Sequence, residues 1–228
     1  MQQYFVKQKL NIDDQIILDD DIIYHLKKVL RKDSSYTFRI VDNIGEVYLA
    51  HLIDNEKCSI ISKIDENNEL DIDITCILSL IKNDKFELCI QKLVELGVNR
   101  IVPYMSKRSV IRNIDDKKII RWNKIALEAA EQSHRNIVPE VYDVIEEKDL
   151  NKYMSKYNYI CYEKADNIVG VDIDESITYI VGPEGGFEDH EYQNIVDIGF
   201  KPISLGKRIL RAETAAIYIS SVIVSKCQ

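Results

Sequence analysis

Near residue 70, the hydrophobic pattern changes from a run of short strands to strands that alternate with helices. This change restricts the possible folds of the chain more than any other feature of the sequence. Before that point, short runs rich in Ile, Val and Tyr alternate apolar and polar residues, which predicts strands half-buried in a sheet. These runs are residues 4–6, 15–18, 36–41, 46–53 and 57–64. Their spacing is typical of a small barrel, and one predicted helix over residues 20–31 interrupts them.

Beyond residue 70, predicted strands alternate with predicted helices, and the polar run 66–69 separates the two patterns. This alternation predicts an α/β fold with a mostly parallel sheet. We therefore predict two domains, a small β-barrel over residues 1–70 and an α/β domain over residues 71–228. Ligands of such a sheet bind at the carboxyl ends of its strands, which directs attention to the loops after Val181 and Leu205.

Composition excludes several classes of protein. Hydrophobic residues make up 46% of the chain, so general disorder is excluded. No apolar run approaches the roughly 20 residues that cross a bilayer, and the first residues contain no apolar signal region. The five cysteines form no Cys-x-x-Cys pair, so we predict neither a disulfide framework nor a metal site. A cytoplasmic location is expected.

Charge is distributed unevenly. The chain has 38 acidic against 30 basic residues, and this average argues against nucleic acid as a partner. Residues 25–39 nevertheless carry five cations against one acid, residues 99–135 nine against four, and residues 198–228 five against one. A single block of this kind is typical of a solvated helix face. Three blocks in an acidic chain indicate a polyanionic partner if they converge on one surface.

Two loops carry the candidate chemistry. Residues 182–187 read Gly-Pro-Glu-Gly-Gly-Phe, and such a loop leaves backbone N–H groups open to a ligand, although a tight turn explains the glycines equally well. It lacks the Lys-Ser or Lys-Thr of a phosphate loop.

The second loop, residues 204–211, places a glycine and three cations before a helix. Arg211 is unfavourable at a helix start, so it either pairs with Glu213 or faces an anion.

These loops, together with other runs of the sequence, resemble the RsmE family of ribosomal RNA methyltransferases. The matching runs are residues 25–31, 95–103, 107–109, 128–139, 182–187 and 205–216. They follow one another in the family's order and spread over about residues 4–220. The series is specific, although each run alone is weak.

The resemblance implies a PUA-like RNA-binding barrel, followed by a SPOUT-class α/β domain with a deep trefoil knot. It further implies a homodimer that binds S-adenosylmethionine and methylates N3 of a uridine in 16S ribosomal RNA. Carried over to this chain, the cofactor site comprises Gly182, Pro183, Glu184, Gly185, Gly186, Ser204, Leu205, Gly206, Ile209 and Leu210. The RNA contacts are expected from the basic blocks, at Lys28, Arg31, Lys107, Arg108, Arg112 and Arg135. No metal and no membrane is implied.

The chemistry of uracil indicates what the catalytic residues must do. N3 is an imide nitrogen whose lone pair becomes available only when its proton leaves, and the resulting charge spreads onto O2 and O4. Arg211 is expected to stabilise that charge as an oxyanion donor does. Glu213 is the second catalytic candidate, as proton acceptor, but a carboxylate beside a guanidinium is a poor base. The identity of the base stays open. The target nucleotide is expected to be unstacked.

Two positions depart from the family pattern. Gln3 stands where the family usually has an arginine before the aromatic pair, which puts the RNA contact expected there in question. His134 replaces a common small residue, and we interpret it as incidental rather than catalytic. His25 is expected to have a structural role.

Two other functions compete with this interpretation. A non-catalytic RNA-binding protein would keep the same fold without turnover, and the intact loop motifs count against it. An enzyme acting on free nucleotides would use the glycine loop for phosphate, and the missing Lys-Ser or Lys-Thr counts against that function.

Overall fold

The computed structural model describes residues 1–166 and 170–227, which form two compact units. The first unit comprises Met1–Glu69 together with Ala130–Ile137, and the second comprises Leu70–Ala129 and Val138–Gln228. The units divide beside the predicted boundary. The predicted boundary did not include residues 130–137 in the first unit, although the structure places them there.

The first unit is built on a five-stranded mixed sheet. Its strands are β1 Gln3–Phe5, β2 Gln15–Ile17, β3 Thr37–Val41, β4 Val47–Leu52 and β5 Lys57–Ile64, in the spatial order β1-β3-β4-β5-β2. β1 and β3 are parallel, whereas the other pairs are antiparallel. The buried faces of these strands, including Phe38, Ile40 and Ile60, form one core. The predicted strands are therefore confirmed within a residue or two.

The helix predicted over residues 20–31 changes its hydrogen-bonding pattern halfway along. Helix α1, Asp20–Tyr24, has Asp20 and Asp21 in its first turn, where the helix dipole favours acidic side chains. A π-helical turn, His25–Val29, continues it and buries Leu26 in the core. The Tyr4 hydroxyl lies 2.9 Å from Nδ1 of His25, which agrees with the structural role predicted for this histidine.

The second unit contains a six-stranded sheet in which every pair of strands is parallel. The strands are β6 Asp73–Ser79, β7 Arg100–Tyr104, β8 Glu140–Val141, β9 Tyr157–Cys161, β10 Ser176–Val181 and β11 Lys201–Ile203. Their spatial order is β11-β9-β10-β6-β7-β8. The predicted α/β class with a parallel sheet is confirmed.

Helices connect the strands of this sheet. They are α2 Asn83–Glu95, α3 Asp116–Gln132, α4 Asp189–Asp197 and α5 Ala212–Val224, and a 3₁₀ helix spans Glu147–Tyr153. One core of this unit lies between the sheet and α4, where Ile77, Ile180 and Ile195 are fully buried. In the described residues, no helix is long and apolar enough to cross a membrane. Because all strands run the same way, the loops after β7, β9, β10 and β11 leave the sheet at one edge.

Candidate active site

A cavity of about 390 Å³ lies at the carboxyl ends of β9, β10 and β11. The glycine-rich loop, residues 182–187, forms one wall, and most of the segment from Leu205 to Ala212 forms another. Nine of the ten residues predicted to bind the cofactor line this cavity. We refer to it below as the cofactor cavity.

The glycine-rich loop is held in shape by Phe187. This ring is buried, and a Cβ at Gly182 would lie 2.8 Å from its Cε2 atom, so only glycine lets the loop pack this closely. Gly186 has φ +66° and donates its N–H to the Pro183 carbonyl at 2.9 Å, which closes a turn. The loop then leads into α4, whose start carries a capping box between Glu188 and Glu191.

Ser204 is the one predicted cofactor residue that does not line the cavity. It is buried, and its hydroxyl donates to the Gly206 carbonyl at 3.3 Å and accepts from the Gly206 N–H at 3.4 Å. Ser204 therefore shapes the turn at Gly206, which has φ +115°. Beyond this turn, Ile209 is 88% exposed at the cavity wall.

The structure separates the two catalytic candidates. Arg211 is exposed and lines the cofactor cavity directly before α5. Glu213 does not line the cavity, and its carboxylate lies 3.8 Å from Nζ of Lys85. Among the described residues, no ion pair joins Arg211 to Glu213, so the pairing considered as one explanation of Arg211 is not present. Of the two predicted catalytic residues, only Arg211 therefore lines the cofactor cavity.

No residue at the end of β9 was predicted from the sequence to belong to the cofactor site. Cys161, Tyr162 and Glu163 line the cavity at the end of β9. The Tyr162 ring stacks on Tyr192 of α4 with centroids 3.9 Å apart. The signal that could have identified them is their position directly after a buried strand, but only the structure shows that β9 lies between β10 and β11.

The predicted RNA residues of the second unit lie in the loop after β7. Lys107, Arg108 and Arg112 are exposed. Nη1 of Arg108 donates to the Gly185 carbonyl at 3.0 Å, and Nη2 of Arg112 donates to the Lys107 carbonyl at 2.6 Å. The loop after β7 and the glycine-rich loop therefore touch one another at the edge of the cofactor cavity.

In the first unit, Lys28 and Arg31 are exposed, at the end of the π-helical turn and directly after it. Both side chains are therefore accessible to a polyanion. Arg31 has φ +53°, so it occupies the left-handed region that follows many helix ends.

Arg135 corrects the sequence prediction. Its side chain is only 4% exposed, and its guanidinium pairs with the Glu69 carboxylate, with Nε 3.1 Å from both oxygens. A buried arginine needs such a partner, because leaving its charge unpaired would be costly. Arg135 is therefore a structural residue of the first unit and not an exposed RNA contact.

Gln3 belongs to the same buried network. Its side-chain amide donates to the Arg135 carbonyl at 2.7 Å, and its carbonyl oxygen accepts from Nε of Arg39 at 3.0 Å. The ring of His134 lies beside the Met1 carbonyl, with Nε2 2.9 Å from its oxygen. Both positions that depart from the family pattern therefore have contacts within the first unit, and His134 is not part of the cofactor cavity.

Comparison with known proteins decides the family. Residues 68–224 match the family described as the RNA methyltransferase domain. The ribosomal RNA small subunit methyltransferase E of Mesomycoplasma hyopneumoniae is 38% identical over 233 aligned residues, which cover the whole of this chain and 99% of that protein. The chain belongs to the methyltransferase E family. The prediction made from the sequence motifs is thus confirmed.

Two solved structures with bound cofactor share the fold. The enzyme of Neisseria gonorrhoeae, crystallised with S-adenosyl methionine, superposes with a TM-score of 0.91 at 31% identity, covering 99% of this chain and 98% of that one. A Legionella pneumophila protein in complex with the same cofactor has a TM-score of 0.91 at 26% identity, covering 98% and 97%. The cofactor predicted for this family member is therefore the one bound in both structures.

Among the residues that the structure describes, no group of three or more His, Cys, Asp or Glu side chains is arranged to hold a metal ion. The charged groups at the cavity are instead two acids, Glu163 and Glu184, and two arginines, Arg208 and Arg211.

Proposed function

We propose that the chain transfers the methyl group of S-adenosylmethionine to N3 of a uridine in 16S ribosomal RNA. The observation that carries this proposal is the cofactor cavity with Arg211 at its wall. Family membership supports the reaction class, since the curated relatives are named ribosomal RNA small subunit methyltransferase E. The uracil-N3 position follows from the resemblance and from the chemistry below.

The cavity suits this cofactor in size and in charge. Its volume of about 390 Å³ lies within the range of small-molecule sites. The loops around Gly182–Gly186 and around Leu205, Gly206, Ile209 and Leu210 offer backbone groups and apolar surface to a nucleoside. Glu163 and Glu184 complement an ammonium group, while Arg208 and Arg211 complement a carboxylate. When bound, the cofactor supplies an electrophilic methyl group on a sulfonium.

Arg211 is the residue proposed to act on the substrate base. Loss of the N3 proton creates an anion shared by O2 and O4, and a guanidinium fixed beside that anion lowers the barrier. Arg211 is available for this because its position before α5 places it at the cavity wall and, in the part of the chain described, no acidic partner binds it.

The remaining predictions form part of the same proposal. The first unit acts as a PUA-like RNA-binding barrel through Lys28 and Arg31, and Lys107, Arg108 and Arg112 bind RNA near the cofactor cavity. The second unit is a SPOUT domain with a trefoil knot, and two copies of the chain form a homodimer. The protein works in the cytoplasm, in agreement with its five free cysteines.

Methyl transfer from labelled S-adenosylmethionine to small ribosomal subunits, or to naked 16S RNA, tests this function. The substrates should come from cells lacking this activity. We expect label in 16S RNA and a calorimetric binding signal with the cofactor alone. A protein that binds RNA but shows neither cofactor binding nor transfer would instead be a non-catalytic RNA-binding protein.

A further inference from the structure

The second unit contains a larger cleft, of which the function above uses only Lys107 and Arg112. Its volume is about 680 Å³, and its walls come from the loop after β7, the 3₁₀ helix and α4. We call it the β7 cleft. The side chains that matter to the argument are Met105, Lys107, Arg112, Asn151, Asn194 and Ile198.

One buried carboxylate fixes the cationic wall of the β7 cleft. Glu191 is 1% exposed and accepts hydrogen bonds from the Tyr104 hydroxyl at 2.6 Å, the Ser106 hydroxyl at 3.1 Å and the Lys107 N–H at 3.1 Å. The next residue, Arg108, bonds to Gly185 of the cofactor cavity. The loop after β7 therefore contributes Lys107 to the β7 cleft and, one residue later, contacts the glycine-rich loop of the cofactor cavity.

The acids and the cations of the β7 cleft differ in their partners. Its acids already have donors: Lys148 lies 2.9 Å from Glu146, Asn194 donates to Glu147 at 2.5 Å, and Gln193 donates to Asp197 at 2.7 Å. Lys107 and Arg112, in contrast, form no ion pair with any residue that the structure describes. These two cations therefore favour an anion such as a phosphate.

The 3₁₀ helix and α4 offer groups that recognise a base. Asn151 is exposed, and its amide bonds to no described side chain, so it presents both a donor and an acceptor. Asn194 uses its amide nitrogen on Glu147 and keeps its oxygen as an acceptor. Met105 and Ile198 add apolar surface. Amide groups beside apolar surface are suited to the edge and face of an unstacked base.

We propose that the β7 cleft binds the nucleotide next to the methylated uridine, with its phosphate at Lys107 and Arg112 and its base at Asn151 and Asn194. This rests on the proposed function, since it requires an RNA strand whose target base lies against Arg211 at the cofactor cavity. The cleft would then help to select the sequence in which the uridine is methylated.

Two pairs of variants test the nucleotide site. Lys107→Ala removes a cation from the cleft, and Lys201→Ala removes one from the opposite, amino end of β11. Asn151→Asp adds a negative charge inside the cleft without changing the size of the side chain, and Gln91→Glu does the same on the exposed surface of α2. Each is assayed for the RNA KM at saturating cofactor and for the cofactor Kd.

We expect both cleft variants to raise the RNA KM at least fivefold, while the cofactor Kd and both control variants keep wild-type values. Irradiation of the wild-type protein on its methylatable substrate should also leave nucleotide adducts on peptides containing Lys107 or Asn151. Wild-type KM values in the cleft variants would overturn the nucleotide site while leaving methyl transfer intact. Cross-links from the cleft to a ribosomal protein, without nucleotide adducts, would overturn it in favour of a protein contact. Failure of the wild-type protein to methylate any ribosomal RNA would overturn the proposed function itself.

Discussion

Two arginines from the matching motifs, one in each unit, differ in burial and in their partners. Arg135, in the first unit, is buried against Glu69 and bonded to its neighbours, whereas Arg211, in the second unit, is exposed at the cofactor cavity. Both lie in basic blocks of the sequence. The difference shows that a cation in a functional motif serves the fold when a carboxylate meets it in the interior, and is available for chemistry when none does.

Removing Arg211 should have the largest effect on activity. We expect Arg211→Ala to lower methyl transfer by about a thousandfold, since loss of one anion-stabilising donor commonly costs two to three orders of magnitude. Cofactor affinity should stay within a few fold, as measured by calorimetry. Arg121→Ala is the matched control, because Arg121 pairs with Glu87 on the surface and should leave the rate unchanged. A wild-type rate in the Arg211 variant would remove its assigned role.

Removing Arg135 should instead affect stability. Arg135→Ala leaves the Glu69 carboxylate partly buried without its cation, and breaking such a pair costs about 3 kcal/mol. Amide hydrogen exchange in residues 37–64 should become faster, while the fluorescence transition of Trp122, in the second unit, stays where it was. The same Arg121→Ala control should leave the stability nearly unchanged, because an exposed ion pair contributes little. Unchanged exchange in the first unit would show that the buried pair is dispensable.

Gly182→Ala tests the close packing of the cofactor loop. The added methyl group would meet the buried Phe187 ring at 2.8 Å, and overpacking of this kind costs about 1–3 kcal/mol. We expect the cofactor Kd to rise about tenfold because the loop must move. Gly185→Ala is the comparison, since a Cβ there meets Arg108 only at 3.6 Å. Equal affinities in the two variants would contradict the role given to Phe187.

The smallest expected effect is the pH dependence of the stability of the first unit. The hydrogen bond from Arg39 lowers the pKa of Glu66 to about 2. Because the folded pKa lies below the unfolded value of about 4.3, the stabilisation is complete above that value and is lost as the pH falls towards 2. It should amount to no more than about 1 kcal/mol, since a third of the side chain is exposed. Glu66→Gln should abolish this part of the pH dependence in denaturant titrations.

The sequence predicted the positions of strands and loop residues better than the long-range contacts between them. Period and turn residues located the strands, and motif resemblance located nine of the ten cofactor residues that meet at the cavity. Burial of Arg135 was not predictable, because its partner Glu69 lies 66 residues away in the chain. Tyr162 and Glu163 were missed because strand order, which places β9 between β10 and β11, depends on long-range packing. The π-helical turn His25–Val29 was also not predicted, because the spacing of apolar residues does not distinguish it from an α-helix.

Mass mapping of 16S ribosomal RNA incubated with the purified protein and S-adenosylmethionine tests the proposed reaction most directly. The proposal predicts one added methyl group, at N3 of a single uridine, that is absent when the Arg211→Ala variant replaces the wild-type protein. An unmodified RNA with the wild-type protein, or a methyl group on a ribose or on another base, would contradict it.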